Sequence, residues 1–118
     1  MKKGYYLKSC STCQRILKEI GADTFFDELQ NIKEEGITEA QLDELKSLSG
    51  SYESMFSRTA MKYKSLGLKN ETLTEEDYKK YILEEYTFLK RPVFVIEDQI
   101  FIGNSKKNVE ALKVAIGV

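Results

Sequence analysis

Apolar and polar residues alternate with two different periods along the chain, and the period changes twice. Gly4 to Lys8 is short and tyrosine-rich, which predicts a strand. Ser11 followed three residues later by Gln14 predicts a capping box that opens a helix. Cys13, Ile16, Leu17 and Ile20 then fall at i, i+3, i+4 and i+7 on one face, and Gly21 predicts its end. Thr24 to Leu29 predicts a second strand. In the middle of the chain, Thr38 with Gln41 is another capping box, Ile37 and Leu42 have the spacing of a hydrophobic staple, and Leu45 and Leu48 continue the helix to Gly50. One or two short helices are expected over Tyr52 to Leu66, and a further helix starts at Thr74 and runs through Tyr81 and Ile82. After Lys90-Arg91-Pro92 the period returns to that of strands. Val93 to Ile96 and Gln99 to Ile102 flank a turn at Asp98 and predict an antiparallel hairpin. Val109, Leu112 and Ile116 predict a closing helix.

The order is therefore β-α-β, then helices, then β-β-α. No repeat, low-complexity tract or Pro/Gly/Ser linker interrupts it, so the reading is one α/β domain over residues 1–118 with a helical insertion at about 30–90. A length of 118 residues and 42% hydrophobic content support a core without disulfide staples.

The composition narrows the chemistry. With no histidine, no Ser/His/Asp or Cys/His triad is available, and two cysteines alone fall short of a four-ligand zinc site. Eighteen basic residues against 19 acidic ones argue against direct nucleic-acid binding by broad phosphate neutralisation. The first ten residues lack an apolar signal-peptide core and no apolar run is long enough to span a membrane, so a cytoplasmic protein is expected, in a compartment where thiols stay reduced. The near-zero net charge hides a division. Residues 1–18, 54–70 and 86–96 contain no acid and carry eleven of the 18 bases. These stretches hold Cys10 and Cys13, Arg58, and Arg91 with Pro92, which favours a local positive site.

Cys10-Ser-Thr-Cys13 lies where the first strand gives way to the first helix. Cys10 precedes the first helical turn, where unpaired N–H groups and the macrodipole favour a thiolate. Cys13 sits on the apolar stripe. This pattern suits a nucleophile at Cys10 and a buried resolving thiol at Cys13; the bland alternative is a small core residue with an idle neighbour. Arg15 reads equally as a modest activator of Cys10 and as an exposed helix arginine.

Tyr6-Leu7-Lys8-Ser9-Cys10-Ser11-Thr12-Cys13-Gln14-Arg15, a helical middle containing Tyr63, and Phe88-Leu89-Lys90-Arg91-Pro92-Val93 followed by Ile102-Gly103-Asn104 resemble the arsenate reductase-like family that includes ArsC and Spx. The resemblance implies a thioredoxin-like mixed four-stranded sheet with a helical insertion, a redox-active Cys10 and a cis peptide bond before Pro92. It also implies Cys10, Cys13 and Arg91 as catalytic residues, with Arg58, Arg15, Pro92 and Asn104 around the substrate. No bound cofactor is expected. The implied partners are an external thiol reductant, thioredoxin, glutaredoxin or glutathione, and a small oxyanion substrate. Members of the family that reduce arsenate hold the oxyanion with three arginines, and here Gly103 to Lys107 offers two lysines and no arginine. Lysine lacks the planar fork that matches an oxyanion, which weakens arsenate as the native substrate. The second implied reading is an Spx-like redox switch that binds RNA polymerase. Gly50 and Arg91 lie near positions used in such contacts, although Gly50 also reads simply as a helix C-cap.

Overall fold

The computed structural model describes residues 2–118, which fall into two compact units. The first comprises residues 2–35 with Arg91–Val118, and the second is Gly36–Lys90.

The first unit is built on a four-stranded mixed sheet in the order β2-β1-β3-β4. β1 (Lys2–Tyr6) runs parallel to β2 (Glu28–Asn31) and antiparallel to β3 (Val93–Ile96), which pairs antiparallel with β4 (Gln99–Ile102). The β3–β4 hairpin has the limits expected from its two apolar runs, and Glu97 in its turn takes φ 56°. Helices α1 (Ser11–Ile20), α2 (Ala22–Phe25) and α6 (Lys106–Ile116) complete the unit. Ile16 and Ile20 of α1, Ala22, Phe26, Phe94, Ile96 and Leu112 of α6 form its core, with Phe26 and Phe94 stacked at 4.8 Å between ring centroids. Gly4 makes this packing possible. A Cβ there would stand 2.7 Å from Leu29 Cδ2 and 2.9 Å from the Phe94 ring, closer than carbon atoms approach.

Three expectations are corrected in this unit. β1 spans Lys2–Tyr6 rather than Gly4 to Lys8, because its ladder with β3 runs from Lys2 opposite Ile96 to Tyr5 opposite Val93, after which the chain turns away. The first helix is capped by Cys10, and Ser11 is its first residue rather than half of a capping box. Thr24 to Leu29 is not one strand. Gly21, at φ 64°, ends α1 and also starts the single turn of α2, and β2 begins only at Glu28. The turn explains the adjacent Phe25 and Phe26: both pack toward the core because a helical turn intervenes, whereas a strand would send them to opposite faces.

The second unit is helical, as its period predicts. α3 (Glu39–Ser49) carries the full Thr38–Gln41 capping box and ends at Gly50 in the left-handed region, at φ 94°. Glu53–Met55 is a short 3₁₀ turn and α4 covers Met61–Ser65, so Tyr52 to Leu66 forms two short helical pieces. α5 (Glu75–Glu84) opens on a capping box between Thr74 and Asp77. Phe56 organises the interior, stacked on Phe88 at 5.0 Å and packed on Tyr78 at 4.9 Å. Its backbone also bridges Leu89. The Glu75 carboxylate accepts from the N–H groups of Tyr52 and Glu53 at 2.7 and 3.1 Å, which ties α5 to the start of the 3₁₀ turn.

Candidate active site

β1 delivers the chain to a tight turn closed by the Cys10 N–H donating to the Leu7 carbonyl at 3.0 Å, with Lys8 and Ser9 as its central residues. The Lys8 N–H donates to Asn31 Oδ1 at 3.2 Å, and Gln14 Nε2 donates to the Lys8 carbonyl at 3.0 Å. Cys10 follows as the N-cap, extended at φ −89° and ψ 111°, and its carbonyl accepts the Gln14 N–H at 3.1 Å. A serine or aspartate would place an oxygen over the free N–H groups of the first turn. Here a sulfur occupies that position.

The two thiols of the pair are free and their environments oppose one another. Cys10 is half-buried, and burial by itself disfavours its ionised form. The N–H and thiol of Cys13, the Arg91 guanidinium and the Thr12 N–H together outweigh that burial and bring the Cys10 pKa below the ordinary thiol value. Cys13 is fully buried on the apolar face of α1. Burial, followed by the hydrogen bond to Cys10 and the charge on it, pushes the Cys13 pKa up to about 12, against weaker opposition from the Leu7 backbone and Arg91.

Arg91 acts on both sulfurs from two residues before β3. It is joined to the buried Pro92 by a cis peptide bond, as the resemblance implied. The Pro92 carbonyl accepts from the Gly103 N–H at 2.9 Å, and Asn108 Nδ2 donates to the Gly103 carbonyl at 2.9 Å. The exposed Asn104 thus follows directly on Gly103, the residue bonded to Pro92. Arg15 is exposed on α1 and its charge acts on Glu19, so the cationic side chain acting on Cys10 is Arg91. Arg58 belongs to the second unit. Its Nη2 donates to Glu53 at 2.7 Å and to the Tyr78 hydroxyl at 3.0 Å, and the guanidinium lies over the Tyr78 ring. The acid-free stretch around Arg58 is therefore not acid-free in space, because Glu53 lies just beyond its end in sequence and folds back on it.

Asn31 escaped the sequence reading because its role depends on pairing across 23 residues. Gln14 carried a signal, a carboxamide three residues after a hydroxyl, but that signal pointed to the wrong partner. Among the described residues no group of three or more His, Cys, Asp or Glu side chains is placed to hold a metal ion, and no helix is long and apolar enough to cross a membrane.

The fold recurs in solved structures. An arsenate reductase from Vibrio cholerae superposes with a TM-score of 0.76 at 17% identity, covering 96% of each chain. A protein from Bacteroides fragilis gives 0.78 at 25% identity, covering 94% of this chain and 96% of that one. A Staphylococcus aureus protein gives 0.73 at 23% identity, with 94% and 97% covered. A comparison with curated proteins matches none. The sheet order and these likenesses make the fold thioredoxin-like, with the mixed four-stranded sheet expected from the sequence. The family model supports thiol-dependent, oxidoreductase-like chemistry. That model, of the ArsC family, matches residues 5–112, from the first strand to the last helix, and the chain belongs to the ArsC family.

Proposed function

We propose that the protein is an ArsC-like thiol–disulfide oxidoreductase in which Cys10 attacks an oxidised or oxyanionic substrate held by Arg91 and Cys13 resolves the adduct. The observation that carries this reading is the opposite displacement of the two thiols: the exposed side of the pair favours a thiolate while the buried side keeps its proton. With arsenate as substrate, the Cys10 thiolate forms a sulfur–arsenic bond and one arsenic–oxygen bond breaks, the oxygen leaving with protons as water. Cys13 sulfur then attacks Cys10 Sγ. A disulfide forms, the sulfur–arsenic bond breaks, and its electron pair leaves on arsenic as arsenite, so two thiols are oxidised while As(V) becomes As(III).

The order of attack follows from the electrostatics. Once Cys10 is bonded to substrate its charge is gone, and with it two of the causes that hold the proton on Cys13; the charge of Arg91 remains. An external dithiol, or two monothiols such as glutathione, returns the pair to the reduced form. Pro92 and Asn104 stand as further substrate contacts in this proposal, and Arg15 as a peripheral charge. Arsenate and small-disulfide reduction are assayed on wild type, Cys10→Ser and Cys13→Ser. Cys10→Ser is expected to be inactive, and Cys13→Ser to stall after one equivalent of adduct unless an added thiol resolves it. Turnover untouched by Cys10→Ser, or no turnover with either substrate, refutes the proposal.

A regulatory reading of the same pair is favoured by one feature, the absence of arginine from Gly103 to Lys107, which leaves Arg91 without its expected companion on that side. In that reading the Cys10–Cys13 disulfide switches affinity for a partner such as RNA polymerase, as in Spx-like proteins. A pull-down under oxidising and reducing conditions distinguishes the two, since an enzyme shows turnover with no redox-dependent partner.

A further inference from the structure

We propose that Asn31 and Gln14 are positioning residues for the Cys10 sulfur, acting together as a clamp on the two peptide units that flank the Lys8 Cα; the inference rests on the reading of Cys10 as the nucleophile. Lys8 is beyond the last residue of β1, and the final backbone bond of that strand to its neighbour is the Ile32 N–H on the Tyr6 carbonyl at 2.9 Å. The Lys8 N–H and carbonyl therefore have no ladder to join. Two carboxamides supply the missing partners from opposite sides: Asn31 at the end of β2 accepts from the N–H at 3.2 Å, and Gln14 on α1 donates to the carbonyl at 3.0 Å.

The consequence reaches Cys10 through two short paths. Lys8 is a central residue of the turn that the Cys10 N–H closes on Leu7, so fixing the peptide planes on either side of its Cα fixes the turn. Gln14 also donates its backbone N–H to the Cys10 carbonyl, so one residue holds Lys8 through its side chain and Cys10 through its main chain. The preference of Cys10 for a thiolate depends on the aim of its sulfur at the N–H groups of Cys13 and Thr12, and hydrogen bonds weaken steeply as their angle opens. A loosened turn averages that aim away.

Both carboxamides line a groove of about 490 Å³ that also contains Tyr6, Leu17 and Leu29. Water reaches the groove and competes for the same groups, so the clamp adds little to global stability and its main effect falls on orientation.

The test measures the pH profile of Cys10 alkylation by iodoacetamide in wild type, Asn31→Leu, Gln14→Met and the double variant, all in a Cys13→Ser background so that one thiol is read. Glu19→Gln, which breaks the ion pair from α1 to Lys113 without touching the turn, is the control. Each clamp variant is expected to move the profile to higher pH and to slow alkylation at neutral pH roughly threefold to tenfold, the range of one lost hydrogen bond. The double variant is expected to fall well short of the product of the two, because both act on adjoining peptide units of one turn residue. The control is expected to leave the profile in place. Unshifted profiles in folded clamp variants overturn the clamp, whereas an ordinary free-thiol profile in the Cys13→Ser parent without a clamp substitution overturns the nucleophile reading itself. If either variant fails to fold, amide exchange in the unsubstituted protein decides: protection of the Lys8 N–H supports the clamp, and exchange at the free-peptide rate overturns it.

Discussion

Replacing Cys13 by alanine isolates the proton that the fold holds on a buried sulfur. In the folded protein the Cys13 pKa is about 12, against an ordinary value of 9.0. Below pH 9 both folded and unfolded chains keep this proton and the group contributes no pH dependence. Between 9 and 12 the unfolded chain loses the proton while the folded one retains it, so the folded state binds more protons and stability falls as pH rises. At 1.36 kcal/mol per unit, the full window costs about 4 kcal/mol, and about 2.7 kcal/mol by pH 11. Against this, Cys13→Ala removes one buried heavy atom and leaves a small cavity, a loss comparable to an Ile→Val change of about 0.5–1.5 kcal/mol. Wild type is therefore expected to be the more stable protein at neutral pH, and the variant at pH 11, with a crossing near pH 10. Urea unfolding at pH 8, 9, 10 and 11 under a phosphine reductant reads this directly. Lysine and tyrosine titrations are shared by both proteins, and Cys10, already ionised through most of this window, largely drops out of the difference. A gap between the two proteins that stays constant from pH 8 to 11 refutes the reasoning, because Cys13 then titrates alike folded and unfolded.

Two other substitutions test the frame and the electrostatics. Gly4→Ala forces a methyl group against Leu29 and the buried Phe94 ring and is expected to destabilise the protein by about 1–3 kcal/mol in urea unfolding; a change near zero would mean that the ring can move aside without loss. Arg91→Met removes the cation acting on both thiols and is expected to raise the pKa of Cys10 and of Cys13 together, seen as slower Cys10 alkylation at neutral pH; an unmoved profile would assign the activation of Cys10 to the helix terminus alone.

The sequence was most legible where one local pattern met one structural need. The β3–β4 hairpin reads plainly as two short apolar runs around a turn because Val93 to Ile96 is buried from end to end and only two residues separate it from its partner. The capping boxes of α3 and α5 lie wholly within four residues, so nothing distant competes with them. The errors fell where a distant partner decided. Ser11 and Gln14 have the spacing of a capping box, yet Gln14 reaches Lys8, because the turn before α1 leaves a carbonyl that no ladder can satisfy. Thr24 to Leu29 carries strand-forming residues, but Gly21 restarts a helical turn and lets the Phe26 ring stack on Phe94, a residue 68 positions away in the chain.

The sequence alone determined the order of elements, the placement of a CxxC pair at a strand-to-helix junction, and the exclusion of histidine-based chemistry, all of which depend on residue identity and short-range periodicity. Tertiary structure decided which charge acts on the sulfurs. Arg15 is five residues from Cys10 in sequence but turns to Glu19, whereas Arg91 is 81 residues away and acts on both thiols through the antiparallel pairing of β1 with β3. It also decided that the two cysteines of one motif differ, since burial on the core face of α1 keeps a proton on Cys13 while the free N–H groups of the same helix favour the thiolate at Cys10. Coulomb and desolvation energies depend on distance and burial in space, and neither is written in the spacing of residues along the chain.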